Sequence, residues 1–158
     1  MDGSDSGRRD ARLVAFGGLA AMAAAMGIGR FVYTPILPAM TEALGLSKSQ
    51  AGLIASANFL GYLVGALAAM LNWRAGKRRL FLGGLIASVV TTALMGALES
   101  PAAFMATRFV GGAASAFAFI YGSSLVVERL AALRGTDLVW LFFAGVGAGM
   151  AGSALIVA

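Results

Sequence analysis

An all-α membrane protein with five transmembrane helices is the fold that three observations on this sequence predict. Five apolar runs, of about 19–26 residues each, fill nearly all of the 158-residue chain. At about 1.5 Å per helical residue, each run spans a hydrocarbon core of roughly 30 Å. Hydrophobic residues make up 59% of the chain and charged residues only 12%, against about 25% charged in soluble domains, so a soluble fold would have no way to cover its surface. The runs are rich in Ala, Leu, Gly and Met and lack period-2 alternation. That excludes the closed barrel, the other architecture that satisfies every backbone group in lipid.

The elements follow in order. A polar tail over residues 1–12 precedes a helical membrane domain over 13–158. The first run, Leu13 to Leu37, is expected to be closed by Pro35 and Pro38. It continues well past the roughly 7–15 apolar residues of a cleavable export signal, so Arg8-Arg9 does not introduce one. The second run, Ala51 to Leu71, has Ser47 and Ser49 as candidate N-caps and carries Gly61 and Gly65 four residues apart. The third, Leu80 to Leu98, follows a basic loop, and the fourth, Ala102 to Val127, starts just after Pro101, where a missing N–H costs little. Gly111 to Ser115 make one stretch of the fourth run thin, and the fifth, Leu138 to Ala158, repeats the small-residue spacing at Gly145 and Gly149. Such spacing lets helices approach closely in lipid, and its density predicts a tight bundle able to slide or rock.

The net charge of +5 is explained by topology. Arg8, Arg9 and Arg12 precede the first span, Arg74, Lys77, Arg78 and Arg79 lie between the second and third, and Arg129 and Arg134 between the fourth and fifth. The alternate loops hold only Lys48, with Glu42 and Glu99. Basic loops stay inside, so the N-terminus is expected in the cytoplasm of a bacterial inner membrane and no nucleic-acid partner is implied. With neither Cys nor His in the chain, disulfides, thiol catalysis and the commonest metal ligands are excluded, and neither metal nor cofactor is expected. There is no paired-carboxylate, nucleophile–base or phosphate-cradling motif, so the chain does not read as an enzyme.

The informative residues are the polar ones at membrane depth. Arg30 lies about seven residues before the outer end of the first span, and Arg108 about six residues into the fourth, which enters from outside. Both therefore start roughly 10 Å below the outer boundary. An intramembrane Arg costs about 2.5–3.5 kcal/mol on insertion scales and has no escape by losing its proton. Two at matched depth are expected to line a cavity for an anionic or carboxylate-bearing solute, which a planar guanidinium grips with two hydrogen bonds; snorkelling to the outer headgroups is the structural alternative. Tyr33 and Thr34 follow Arg30 at helical spacing, and Asn58 and Tyr62 form an i, i+4 pair in the second span. Tyr33 also suits an interfacial belt, and Asn58 an interhelical hydrogen bond. Tyr121 lies deeper in the fourth span. Arg30, Tyr33, Asn58, Tyr62 and Arg108 form the candidate substrate-binding set.

The stretch from Gly27 to Met40, GIGRFVYTPILPAM, followed by Ser49 to Leu53 and by Ala57 to Gly65, resembles the first two helices of major facilitator superfamily transporters, the bacterial YbfB/YjiJ-like branch above all. The likeness runs from Leu13 onward. The loop after the second span resembles the superfamily's Gly-x-Leu-x-Asp-Arg-x-Gly-Arg-Arg motif at Leu71, Arg74, Gly76, Lys77 and Arg78, with Ala69 and Trp73 in place of its first Gly and its Asp. Arg108 with Gly112 is similar to the Arg-x-x-x-Gly element of the fourth helix, while no Pro follows Gly149, so antiport is not implied. The resemblance implies most of the N-terminal six-helix half of a carrier whose site lies between two halves. It also implies a conformational-gating role for Arg74, Gly76, Lys77 and Arg78, and a missing second half or partner helices. The expected function is secondary transport of a small, anionic organic solute by alternating access. A small non-transporting membrane subunit, packing on partners through its Gly faces, is the alternative.

Overall fold

Apolar backbone in lipid has to satisfy its own N–H and C=O groups, and this chain does so with helices throughout. A computed structural model describes residues 2–71 and 73–157, so Met1 of the tail and Ala158 of the fifth predicted span lie outside the described residues. The elements are α1 (Asp2–Met22), a π-helical segment (Ala23–Ile28), α2 (Gly29–Phe31), α3 (Tyr33–Leu44), α4 (Lys48–Ala69), α5 (Lys77–Leu94), α6 (Pro101–Ala132) and α7 (Val139–Val157). Short 3-10 turns, Met95–Ala97 and Thr136–Leu138, extend α5 and lead into α7. Five stretches are long and apolar enough to cross a membrane: Ser6–Leu44, Lys48–Ala69, Lys77–Ala97, Pro101–Ala132 and Thr136–Ile156. The five-helix membrane fold expected from composition is the one observed.

The helix ends follow local chemistry. The Ser47 side chain accepts from the Gln50 N–H at 3.2 Å while the Gln50 side chain accepts from the Ser47 N–H at 2.9 Å, a reciprocal cap that starts α4. Pro101 opens α6, where its absent N–H has no helical partner to lose. Pro35 and Pro38 do not end the first helical path, contrary to expectation. Pro35 falls in the first turn of α3, where Pro is tolerated, Pro38 is carried inside that helix, and the path stops at Gly45, whose φ of 61° is left-handed. Helix also begins as early as Asp2, through the polar tail.

Packing is organised around α6, with α4 on one side and α5 on the other, while α7 packs on α1 and the π-segment. Glycines set these approaches. Gly61 and Gly112 press against the backbone of Phe109 and Asn58 across the α4–α6 seam, and a Cβ on Gly65 would stand 2.6 Å from the Ala113 Cα. Gly145 and Gly149 meet the backbone of Leu19 and Ala23 in the same way, seating α7 on the first helical path. Met22, Leu130 and Phe142 fill the core at the N-terminal end, and Tyr33, Ile54 and Phe104 fill it at the other. Leu63 and Leu67 on α4, Ile86 on α5 and Leu155 on α7 stay exposed, as lipid-facing side chains should.

Gly61→Ala and Gly145→Ala are expected to lose about 1–3 kcal/mol, because the new methyl meets backbone rather than a movable side chain. Gly147→Ala, which meets nothing within 4 Å, should be neutral. Thermal unfolding in detergent checks the contrast.

Candidate functional site

The first helical path is irregular where the arginines gather. Residues Ala23–Ile28 adopt a π-helix, and Gly27 within it sits against the Cα of Gly149, where no side chain fits. Pro35 offers no N–H to the carbonyl four residues earlier, at Phe31, and the helix breaks at Val32 between α2 and α3. Irregular backbone at membrane depth has to find donors elsewhere. Here they come from neighbouring helices. Ser88 Oγ donates to the Ala25 carbonyl at 3.3 Å, while Thr92 Oγ1 reaches within 3.5 Å of the Gly29 carbonyl but has its closer acceptor, at 2.8 Å, in the Ser88 carbonyl of its own helix. Arg108 supplies the rest: Nη1 donates to Gly29 O at 3.4 Å and Nη2 to Arg30 O at 3.0 Å.

Arg108 is 5% exposed, and its guanidinium also lies 4.9 Å from the Tyr33 ring centre. Its backbone carbonyl accepts from Asn58 Nδ2 at 3.0 Å, with Asn58 only 2% exposed. Tyr33 is turned inward and donates its hydroxyl to the Ala51 carbonyl at 3.0 Å. Three helical paths are thereby cross-tied at one level by a single Arg and its neighbours. The gap lined by Asn58, Thr91, Thr92 and Arg108 has no room for a water-sized sphere.

Arg30 is held differently. Its guanidinium carbon lies 4.2 Å from the ring centre of Tyr62, 5.1 Å from Phe59 and 5.7 Å from Phe31, a cage of three aromatic rings. Its Nε is buried with no hydrogen-bond partner, and so is that of Arg108. The ion pairs among the described residues are Arg8–Asp137 and Lys77–Glu128, so neither intramembrane Arg is neutralised by a carboxylate. The cluster gathers two guanidiniums between the helices, with the half-buried Arg30 as its more open cation.

All five residues of the expected set, Arg30, Tyr33, Asn58, Tyr62 and Arg108, thus come together. Thr34 does not join them and is exposed. Tyr121 is spent elsewhere, donating to the Ala69 carbonyl at the end of α4 at 2.9 Å. Sequence reasoning missed Phe59, which precedes Tyr62 by one helical turn, and the Ser88–Thr92 pair. Their signal was the same one that singled out Asn58: polar or ring-bearing residues at membrane depth on one helix face.

In the basic loop, Gly76 accepts from the N–H of Arg79 at 2.9 Å and starts α5. Lys77 forms an ion pair with Glu128 near the end of α6 and donates to Ser124 Oγ at 3.0 Å. Arg74 and Arg78 are exposed. Trp73, standing at the motif's Asp position, donates to the Ala68 carbonyl at 2.7 Å and meets Phe117 edge-on at 5.8 Å. An aromatic brace onto α6 replaces the carboxylate there.

Five packed helices, each long and apolar enough to cross a membrane, define a multi-pass membrane protein. The chain belongs to the major facilitator family described as the uncharacterised MFS-type transporter YbfB, whose model matches residues 22–158. It is 32% identical over 93 residues to the uncharacterised MFS-type transporter YceJ of Bacillus subtilis (strain 168), a match that covers 58% of this chain and 24% of that protein. The chain therefore spans well under two thirds of that relative's length. No solved structure gives a significant match.

Asn58→Leu removes the tie to the Arg108 carbonyl and should lower stability by about 0.6–2 kcal/mol, the range for a polar contact between membrane helices. Thermal unfolding of the detergent-solubilised protein reads it.

Proposed function

We propose that this chain is the solute-binding portion of a secondary carrier that moves a small organic anion across a bacterial inner membrane by alternating access. The observation that carries this reading is the state of Arg30: a permanent cation at membrane depth, caged by rings, with a buried Nε that no protein group satisfies. Membrane proteins retain such a charge at a cost of a few kcal/mol where it serves a solute or ion path. A carboxylate fits because the guanidinium edge offers two parallel donors to its two oxygens. Tyr62 and Phe59 hold the guanidinium in place. Tyr33 and Asn58 orient the frame, and Arg108 adds its field while pinning the irregular backbone of the first helical path.

Alternating access also needs a part that yields. The π-segment beside the site is that part in this proposal, since such segments concentrate at functional positions and its Gly27–Gly149 contact allows sliding. Arg74, Gly76, Lys77 and Arg78 form the gating loop at the end expected to face the cytoplasm, with the Lys77–Glu128 pair joining α5 to α6. Further helices, from the rest of a longer chain or from a partner, face the site and complete its wall. The alternative of a packing subunit is less well supported, because Gly61, Gly65, Gly145 and Gly149 are already occupied by helices of this chain.

Arg30→Gln in the complete carrier should abolish solute uptake while leaving membrane insertion intact. Tyr62→Leu should weaken apparent affinity by roughly 3- to 30-fold, the loss of one partly desolvated cation–π contact. Uptake assays in cells with matched expression measure both, and wild-type uptake by Arg30→Gln removes this residue from the site.

A further inference from the structure

A positively charged cavity lies at the opposite end of the bundle from the arginine cluster. It measures about 330 Å³, and Arg8, Arg134 and Asp137 form its polar wall over a floor of Ala11, Leu133 and Leu138. Its construction is specific. The turn after α6 is a helix-ending motif in which Gly135 N–H donates to Leu130 O at 2.8 Å and Arg134 N–H to Ala131 O at 3.1 Å. The residue that must turn left-handed in this motif is ordinarily glycine, yet here it is Arg134, with φ of 53°. The glycine next door serves another purpose. A Cβ on Gly135 would stand 2.7 Å from the Ala11 Cβ, so Gly135 lets the tail helix dock. The fold thus carries backbone strain at a cation whose side chain lines the cavity.

Charge and level say what belongs there. Two guanidiniums against one carboxylate leave a surplus of one positive charge (2 − 1 = +1). Arg8 and Asp137 meet at 3.5 Å with both side chains more than half exposed, a weak pair that a stronger anion can share. The floor is apolar and the wall polar, as at a membrane boundary. Trp140, two residues beyond Leu138, is 61% exposed, and an exposed Trp at a helix start marks the headgroup layer. Leu13 and Phe16, the next large apolar residues along α1, are 65% and 58% exposed.

We infer that this cavity binds the phosphodiester of a phospholipid in the leaflet facing the basic end of the bundle, with Arg134 and Arg8 as the phosphate ligands. A phosphodiester carries one negative charge, equal to the surplus, and its acyl chains continue along the exposed apolar face of α1. The bound lipid ties the tail helix to the turn between α6 and α7.

The test uses the whole protein in detergent and in nanodiscs, with phosphatidylglycerol, diacylglycerol and inorganic phosphate as separate probes. Native mass spectrometry should show retained phosphatidylglycerol, and melting temperature should rise with phosphatidylglycerol but with neither diacylglycerol nor inorganic phosphate. Arg134→Gly and Arg8→Gln should each lower lipid retention roughly tenfold, as expected for one charge-assisted contact. Arg134→Gly should at the same time melt no lower than wild type without lipid, since glycine relieves the left-handed strain. Arg134→Asn, which tolerates that conformation, provides a second neutral variant with the same expected loss. Arg9→Gln, adjacent but outside the cavity wall, should retain lipid normally. Wild-type retention by the Arg134 variants, equal binding of diacylglycerol, or a response to inorganic phosphate without one to phospholipid would each overturn the proposal.

Discussion

A guanidinium that cannot lose its proton must find acceptors when it is placed in lipid, and Arg108 finds them on the first helical path. Its two terminal nitrogens reach the carbonyls of Gly29 and Arg30, where a π-segment and a proline have already disturbed the regular ladder. The two irregularities satisfy each other: the cation needs oxygens and the broken helix has oxygens to offer. Asn58 then fixes the backbone of Arg108 from α4, and Ser88 and Thr92 reach the same disturbed strip from α5. Removing the Arg would orphan carbonyls, and straightening the helix would orphan the Arg.

That clamp gives the two arginines different work. Arg108 is enclosed, hydrogen-bonded to backbone and without space beside it for a solute. Arg30 is only half-buried and is held by three aromatic rings. Rings stabilise a cation without consuming its hydrogen-bond donors, because the attraction is to the face of the π-system. Arg30 is therefore positioned without its donors being committed to the rings, as the proposed anion site requires. The close helix approaches serve the same end, since Gly61, Gly112, Gly145 and Gly149 bring backbones near enough for side chains at one level to meet across three helical paths.

Much of this is legible in the sequence, for physical reasons. Run length and composition fix the number of spans, because hydrocarbon thickness leaves few alternatives, and counting residues from the span ends puts Arg30 and Arg108 at one depth. The division of labour between them is not legible, because it depends on rotation and on which backbone is irregular, and neither the π-segment nor the break at Val32 has a short-range signature. The prolines mislead for a related reason. Pro35 and Pro38 read as terminators, yet Pro35 sits in a first turn made by the break itself and the helix runs on to Gly45. Trp73 is visible in the sequence only as a missing Asp; its brace onto Phe117 requires the fold.

The transport reading rests on Arg30 facing a wet, shared interior while Arg108 is sealed. Because the chain has no cysteine, Arg30→Cys and Arg108→Cys each introduce a single thiol on a clean background. Labelling in intact membranes with a charged, water-soluble thiol reagent compares the two directly. Rapid modification at position 30 with little or none at position 108 is the expected result. No modification at position 30, or equal modification at both positions, would contradict it.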